Sequence, residues 1–422
     1  MRIRFYNGKI CTMEKDVNYI EGELWTNESY VEYVGKAKPS SKVFDREINL
    51  NGNLLMPGFK NAHTHSAMTF LRSFADDMPL LDWLHKQVFP MEAKLTVDDV
   101  YWLNKLAIME YLTSGITANF DMYFYPRDIA KTSVECGFRT VLCGSVNSYG
   151  GSVEQELADY EYLNNYNELI SAQFGFHAEY TCKLSLLEQL AAEANKRKLP
   201  VYFHSSESRA ETERCIERTG MTPTVYLNSL GMLNNGGGCF HGVHLTEQDM
   251  DILKEKNMWV ITNPSSNLKL ASGIAPLEKL RKRGVSLAIG TDGPASNNCL
   301  DFFREMFLTT ALQKISCDDV AVMDANHVLH MATVGGALAM GLTDCDTLAV
   351  GKKADLIVID LMQPNMQPIN NLMKNIVYSG SKLNVKLTMV NGKVLYEEGR
   401  FYIGTEAEEV YAHANEIIAA KR

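Results

Sequence analysis

The amino-acid sequence predicts an α/β protein: a (β/α)8 barrel of TIM type with a small β-sandwich domain formed by both chain ends. Three observations lead there. Short apolar runs alternate with amphipathic helices through the middle of the chain, both ends are β-rich, and nearly every middle run closes on His, Asp or Asn. Eight such alternations over roughly 280 residues match the size of a (β/α)8 barrel. A doubly wound open sheet alternates in the same way. The polar run-ends favour the barrel, whose active-site groups gather at the carboxyl ends of its strands.

Residues 1–55 read as short strands with turn signals, and residues 346–403 look similar, with Asn391-Gly392 marking a hairpin. Residues 56–345 form the expected barrel, and 404–422 a C-terminal helix with acidic residues early and Lys421 and Arg422 last, as the helix dipole prefers. The barrel strands are expected at 54–62, 116–121, 138–146, 170–177, 201–204, 238–241, 259–263 and 286–292. Thr96 can cap the helix that ends at Gly115, Thr246 with Asp249 opens another, and Ser185 with Glu188 makes a capping box for a third.

Composition narrows the function classes. Apolar content of 46% and charged content of 22% describe an ordinary globular chain. A net charge of −10 argues against nucleic acid or an anionic membrane as partner. Nine cysteines without a C-x-x-C pair fit reduced thiols, the amino terminus lacks a signal-peptide core, and no run reaches transmembrane length. A cytoplasmic protein is expected.

His63 and His65 flank one residue at the end of an apolar run, so in a strand their side chains share a face. The pair alone is weak. His204 closes PVYFH, His241 closes GGCFH, and Asp292 closes SLAIGTD. Nitrogen donors with one carboxylate suit a divalent cation, zinc first and iron or manganese next, and zinc can lower the pKa of water from 15.7 to about 7. Taken singly, each histidine is more readily a satisfied core group, and Asp292 a turn cap. Their joint placement at strand ends is what points to one metal. Glu207, three residues past His204, is placed to move protons. The remaining five histidines, His85, His244, His327, His330 and His413, are assigned no metal.

PGFKNAHTH, FHSSE, FHGVHL, NPSSNLKLASGIAP and GTDGPASNN resemble the amidohydrolase superfamily. Within it the chain is most similar to the cytosine deaminase and chlorohydrolase branch, nearest the 5′-methylthioadenosine/S-adenosylhomocysteine deaminases. The resemblance implies one divalent metal per subunit on His63, His65, His204 and Asp292, with Glu207 as proton shuttle. It implies that His241 orients the attacking water and that Asp292 also accepts its first proton. The dinuclear branch fits poorly: the fourth strand ends in His177, and the next lysine is Lys183. Relatives are often oligomeric, so a homo-oligomer is expected.

By the same resemblance, Trp83 packs on the substrate, Glu92 receives the ribose hydroxyls, and His177, Glu207 and Ser296 contact the nucleoside. An ionised carboxylate facing a diol is sound chemistry, since two hydroxyls satisfy it. One departure is instructive. Arginines that hold an amino-acid carboxylate in S-adenosylhomocysteine deaminases correspond here to Gly144 and Ser152, and residues 140–182 carry six carboxylates but no Lys or Arg. Unless Arg127 reaches in, the expected substrate is an adenosine with a small or uncharged 5′ group: 5′-deoxyadenosine, 5′-methylthioadenosine or adenosine. The alternatives are deamination or dechlorination of guanine, a pterin or a triazine, and a non-catalytic scaffold.

Overall fold

The computed structural model describes residues 1–15, 17–78 and 80–422. Eight parallel strands follow one another in sequence order: β1 (Phe59–Thr64), β2 (Ile116–Asp121), β3 (Arg139–Cys143), β4 (Ile170–Ala178), β5 (Val201–Ser205), β6 (Gly237–His241), β7 (Met258–Thr262) and β8 (Ser286–Ile289). The ring closes just beyond β8, where the Asp292 amide donates to His63 O at 3.0 Å. The Asn61 side chain reinforces that seam, accepting from Thr291 N at 2.8 Å and donating to Thr291 Oγ1 at 2.7 Å. Ala62, Phe120, Val141, Tyr202, Phe240, Ile261 and Ala288 pack together as the barrel's filled interior. Burial of these alternate strand residues supplies the hydrophobic term that holds the ring.

A separate mixed sheet of nine strands is drawn from both ends of the chain. Its centre pairs Leu54–Pro57 with Leu356–Ile359 on one side and Arg2–Ile10 on the other. Asn391 and Gly392 both have positive φ, 50° and 76°, and join the strands Val385–Val390 and Lys393–Glu397 as a tight hairpin. Arg139 of β3 ties the sheet to the barrel through a fork on Asp355, with Nε–Oδ2 2.7 Å and Nη2–Oδ1 3.1 Å, both side chains buried.

The apolar run at 54–62 is two strands in two sheets, not one. Pro57 ends the first, and Gly58 passes so close to Thr117 that a Cβ there would lie 2.1 Å from its Cγ2. The break therefore rests on the Pro-Gly pair inside an otherwise continuous apolar stretch. Thr96 and Thr246 form the expected capping boxes with Asp99 and Asp249. Ser185 does not: the helix Leu184–Arg197 begins two residues earlier, with Lys183 at the cap position in extended geometry and its amide donating to Ser148 Oγ at 2.7 Å.

The C-terminal helix Ala407–Lys421 packs on the helix Val97–Thr113, with His413 stacked on Trp102 at 3.8 Å between ring centroids. All nine cysteines are free. Among the described residues no helix is long and apolar enough to cross a membrane.

Candidate active site

Five side chains from four strand ends converge on the carboxyl face of the barrel. His63 ends in β1 with His65 just past it, His204 lies in β5, His241 closes β6 and Asp292 follows β8. The Nε2 atoms of His63 and His204 are 3.1 Å apart. Asp292 Oδ1 lies 3.6 Å from His63 Nε2 and 3.3 Å from His65 Nε2. Two ligands about 2.1 Å from a shared tetrahedral ion stand roughly 3.4 Å apart, so these spacings fit donors aimed at one cation. His63 with His204 and His241, and His63 with His65 and Asp292, each bring their donor atoms within 4.8 Å of one another.

The far side of each ring explains the aim. His65 Nδ1 meets Met122 O at 2.5 Å, His204 Nδ1 meets His177 O at 2.7 Å, and His241 Nδ1 meets Asn267 Oδ1 at 2.8 Å. Each contact engages Nδ1 and turns Nε2 toward the centre. His63 is instead held flat against Phe240, at 3.8 Å between centroids and 18° between planes. Asp292 Oδ2 accepts from Ser266 Oγ at 2.6 Å and Ser296 Oγ at 2.8 Å, while Oδ1 accepts from the Gly293 amide at 2.7 Å.

Burial, then mutual repulsion among the rings, pushes His63 and His204 well below the ordinary histidine range, so both rings are neutral. Burial opposes charge on His65 and Asp292 as well, but each stabilises the other: His65 rises to about 9 and Asp292 falls well below the usual carboxylate range. Burial raises Glu207. Non-glycine residues take left-handed backbone at Ser206, His241 and Asp292, with φ of 54°, 75° and 59°. Such strain clusters where side chains must be re-aimed at a strand's end.

Glu207 is buried, with Oε2 3.8 Å from His241 Nε2. Its backbone is pinned by Glu211, whose carboxylate accepts from Ser206 N at 2.7 Å and Glu207 N at 2.8 Å. A cavity of about 880 Å³ opens over the cluster and is also lined by Trp83, Glu92, His177, Glu207 and Ser296. Of the expected metal, catalytic and substrate-binding residues, all but the fully buried His63 border this one space. Ser296 is turned toward Asp292, and His177 toward Thr181 Oγ1 at 3.2 Å. Arg127 does not line the cavity. It pairs outside with Asp159 at 2.6 Å, and the lining contains no Lys or Arg among the described residues.

Sequence reasoning missed Asn267, Ser266, Glu211 and Glu156. The first two stand inside NPSSNLK, a segment marked by its resemblance but given no task. Glu211 had a local signal, three residues after Ser208 in a capping-box spacing. Of the histidines assigned no metal, His244 Nε2 meets Ser272 O at 2.7 Å, His413 stacks on Trp102, and His327 is half-buried and His330 exposed on one helix, while His85 lines the cavity.

The amidohydrolase family profile matches residues 54–395. A 5-methylthioadenosine/S-adenosylhomocysteine deaminase from Caldanaerobacter subterraneus subsp. tengcongensis is 39% identical over 425 residues, covering 97% of this chain and 96% of the relative. A protein of the same name from Syntrophomonas wolfei is 37% identical over 424 residues, covering 99% and 98%. An adenosine deaminase structure from Xanthomonas campestris with bound zinc superposes with a TM-score of 0.94 at 30% identity, covering 100% of this chain and 98% of that one. The chain belongs to the amidohydrolase family.

Proposed function

We propose that this amidohydrolase is a hydrolytic deaminase of adenosine-type nucleosides with a small or uncharged 5′ group, giving the inosine analogue and ammonia. Zinc is the proposed metal, on His63, His65, His204 and Asp292, since three imidazoles and one carboxylate match its preferred donors and the Xanthomonas campestris structure carries zinc. When bound there, a divalent cation supplies Lewis acidity and an acidified water.

The chain's own residues do the rest. Asp292 is held by the Ser266 and Ser296 hydroxyls and the Gly293 amide, so its carboxylate keeps its place while it accepts the water's first proton. Glu207, raised by burial, is suited to hold a proton and deliver it to the ring nitrogen and then to the leaving amine. His241, fixed through Asn267, aims Nε2 at the space between them and orients the attacking water. Trp83 offers an apolar face and Glu92 an acceptor for the ribose diol. His177, held neutral by burial at a pKa of about 4, can accept or donate to the nucleoside without carrying charge.

One observation carries the reading: a single cavity joins the ligand cluster to Trp83 and Glu92 with no basic residue beyond histidine on its walls. Ammonia release should be measured across 5′-modified adenosines, guanine, a pterin and a triazine on protein of known metal content. Turnover is expected with adenosine, 5′-deoxyadenosine and 5′-methylthioadenosine. A kcat/KM for S-adenosylhomocysteine equal to or above that for 5′-methylthioadenosine overturns the 5′ assignment, and turnover confined to free bases or triazines overturns the nucleoside assignment.

A further inference from the structure

The cavity wall formed after β3 carries a carboxylate that the deamination chemistry leaves unused. Glu156, on the helix Val153–Leu163, lines the same space as the ligand cluster. Its head fills the room left by a missing side chain: a Cβ on Gly144 would lie 1.8 Å from Glu156 Oε1. The neighbouring acid Asp159 pairs with Arg127 at 2.6 Å, whereas among the described residues no Lys or Arg pairs with Glu156. The Ser145 backbone favours its charged form. Burial, with the nearby Asp159 charge, pushes its carboxyl up to about 8.

The ring order sets this wall apart from the strands that carry the cluster, β1, β5, β6 and β8, and from Glu92, which follows β1. With the purine over the cluster and the ribose diol at Glu92, the β3 loop and its helix are left for the 5′ end. Resting on the nucleoside reading above, we propose that Glu156 determines specificity at the substrate's 5′ end. It pairs with a 5′ group that carries a hydrogen-bond donor, a primary amine above all and a hydroxyl next. It offers no cation to a 5′ group that ends in a carboxylate. Near neutral pH the free carboxyl holds its proton and gives it up to solvent when an ammonium is brought against it, forming the charge-assisted pair.

A side chamber of about 290 Å³ shares Tyr149 and Tyr180 with the main cavity and carries Arg214 and Arg218. Arg218 is already neutralised by buried Glu179. Arg214 is the rival reader of an anionic 5′ tail, so the test includes it.

Metal-replete full-length protein, wild type and the variants Glu156→Gln, Glu156→Leu and Arg214→Ser, is assayed on four substrates. These are 5′-amino-5′-deoxyadenosine, adenosine, 5′-deoxyadenosine and S-adenosylhomocysteine. Wild type is expected to favour the amine over 5′-deoxyadenosine by about tenfold or more in kcat/KM, chiefly through KM. Glu156→Leu should erase that ratio, and Glu156→Gln should keep the hydroxyl's advantage while losing the amine's. An amine-to-deoxy ratio near one in wild type, or a ratio unchanged in the folded variants, overturns the inference. So does efficient turnover of S-adenosylhomocysteine that collapses in Arg214→Ser. Absence of turnover on all four substrates sinks the nucleoside reading itself, a separate outcome.

Discussion

Glu207→Gln separates proton transfer from metal binding. The substitution keeps the side chain's size, and the local backbone is held by Glu211 through bonds to the Ser206 and Glu207 amides that do not involve the Glu207 carboxylate. Glu207 belongs to neither group of converging ligand atoms, and its Oε2 stands 3.8 Å from His241 Nε2, on the cavity side. Metal content should therefore stay at the wild-type level. What is lost is an acid–base group, worth about 10²- to 10⁴-fold in rate. At about 1.36 kcal/mol per decade, that is roughly 2.7 to 5.4 kcal/mol of barrier. The loss should fall on kcat, with KM moving less than about threefold, because the group is needed after the nucleoside is bound. Elemental analysis reads the metal, and the fall in adenine absorbance reads turnover. Metal loss in the variant, or a kcat within tenfold of wild type, refutes the assignment.

Other outcomes follow from the same geometry. Removal of the metal with a chelator should abolish deamination and lower the thermal midpoint, since it leaves three imidazoles and Asp292 crowded without their shared partner. Restored zinc should recover both, and activity that survives complete chelation rules the metal role out. Burial pushes Glu92 up to about 7, so lowering the pH through 7 protonates it and weakens its acceptance of the ribose hydroxyls. The KM for adenosine should rise toward acid by up to about tenfold per pH unit below that pKa, and Glu92→Gln should show a higher KM without that slope. Asp355→Ala leaves Arg139 buried without its partner, which should cost about 3 to 5 kcal/mol in denaturant unfolding. Under native conditions kcat should be kept, because Arg139 opens β3, at the strand end opposite the carboxyl face that carries the cluster. Gly290→Ala would press a Cβ to 2.7 Å from the His63 amide and should lower metal affinity as well as stability.

What the sequence disclosed and what it withheld divide along a physical line. His63 and His65 were legible because strand geometry is local: a two-residue spacing fixes a shared face whatever else the chain does. Thr96 and Thr246 were legible for the same reason, since a cap is settled within four residues. Asn391-Gly392 declared its hairpin through two residues that tolerate positive φ. The split of 54–62 was harder, because composition runs unbroken through Pro57 and Gly58 and only the pairing partners, Leu356–Ile359 for one half and β2 for the other, tell the halves apart. Ser185 failed because a distant hydroxyl, Ser148, fixed the turn before it.

The groups that tune the site were illegible for a deeper version of that reason. Ser266 and Asn267 are neighbours in the short helix Pro264–Lys269, yet they serve different residues: Ser266 holds Asp292, 26 positions ahead, and Asn267 holds His241, 26 positions behind. Nothing in the spacing of either residue announces such a task. Only closure of the ring brings β6, β7 and β8 side by side and sets that one turn between a ligand and the group that orients water. The NPSSN segment thus couples two partners that must act together, and a shift in its helix would displace both at once. The barrel's strand ends supply the chemistry, and its seventh loop supplies the alignment between two of them.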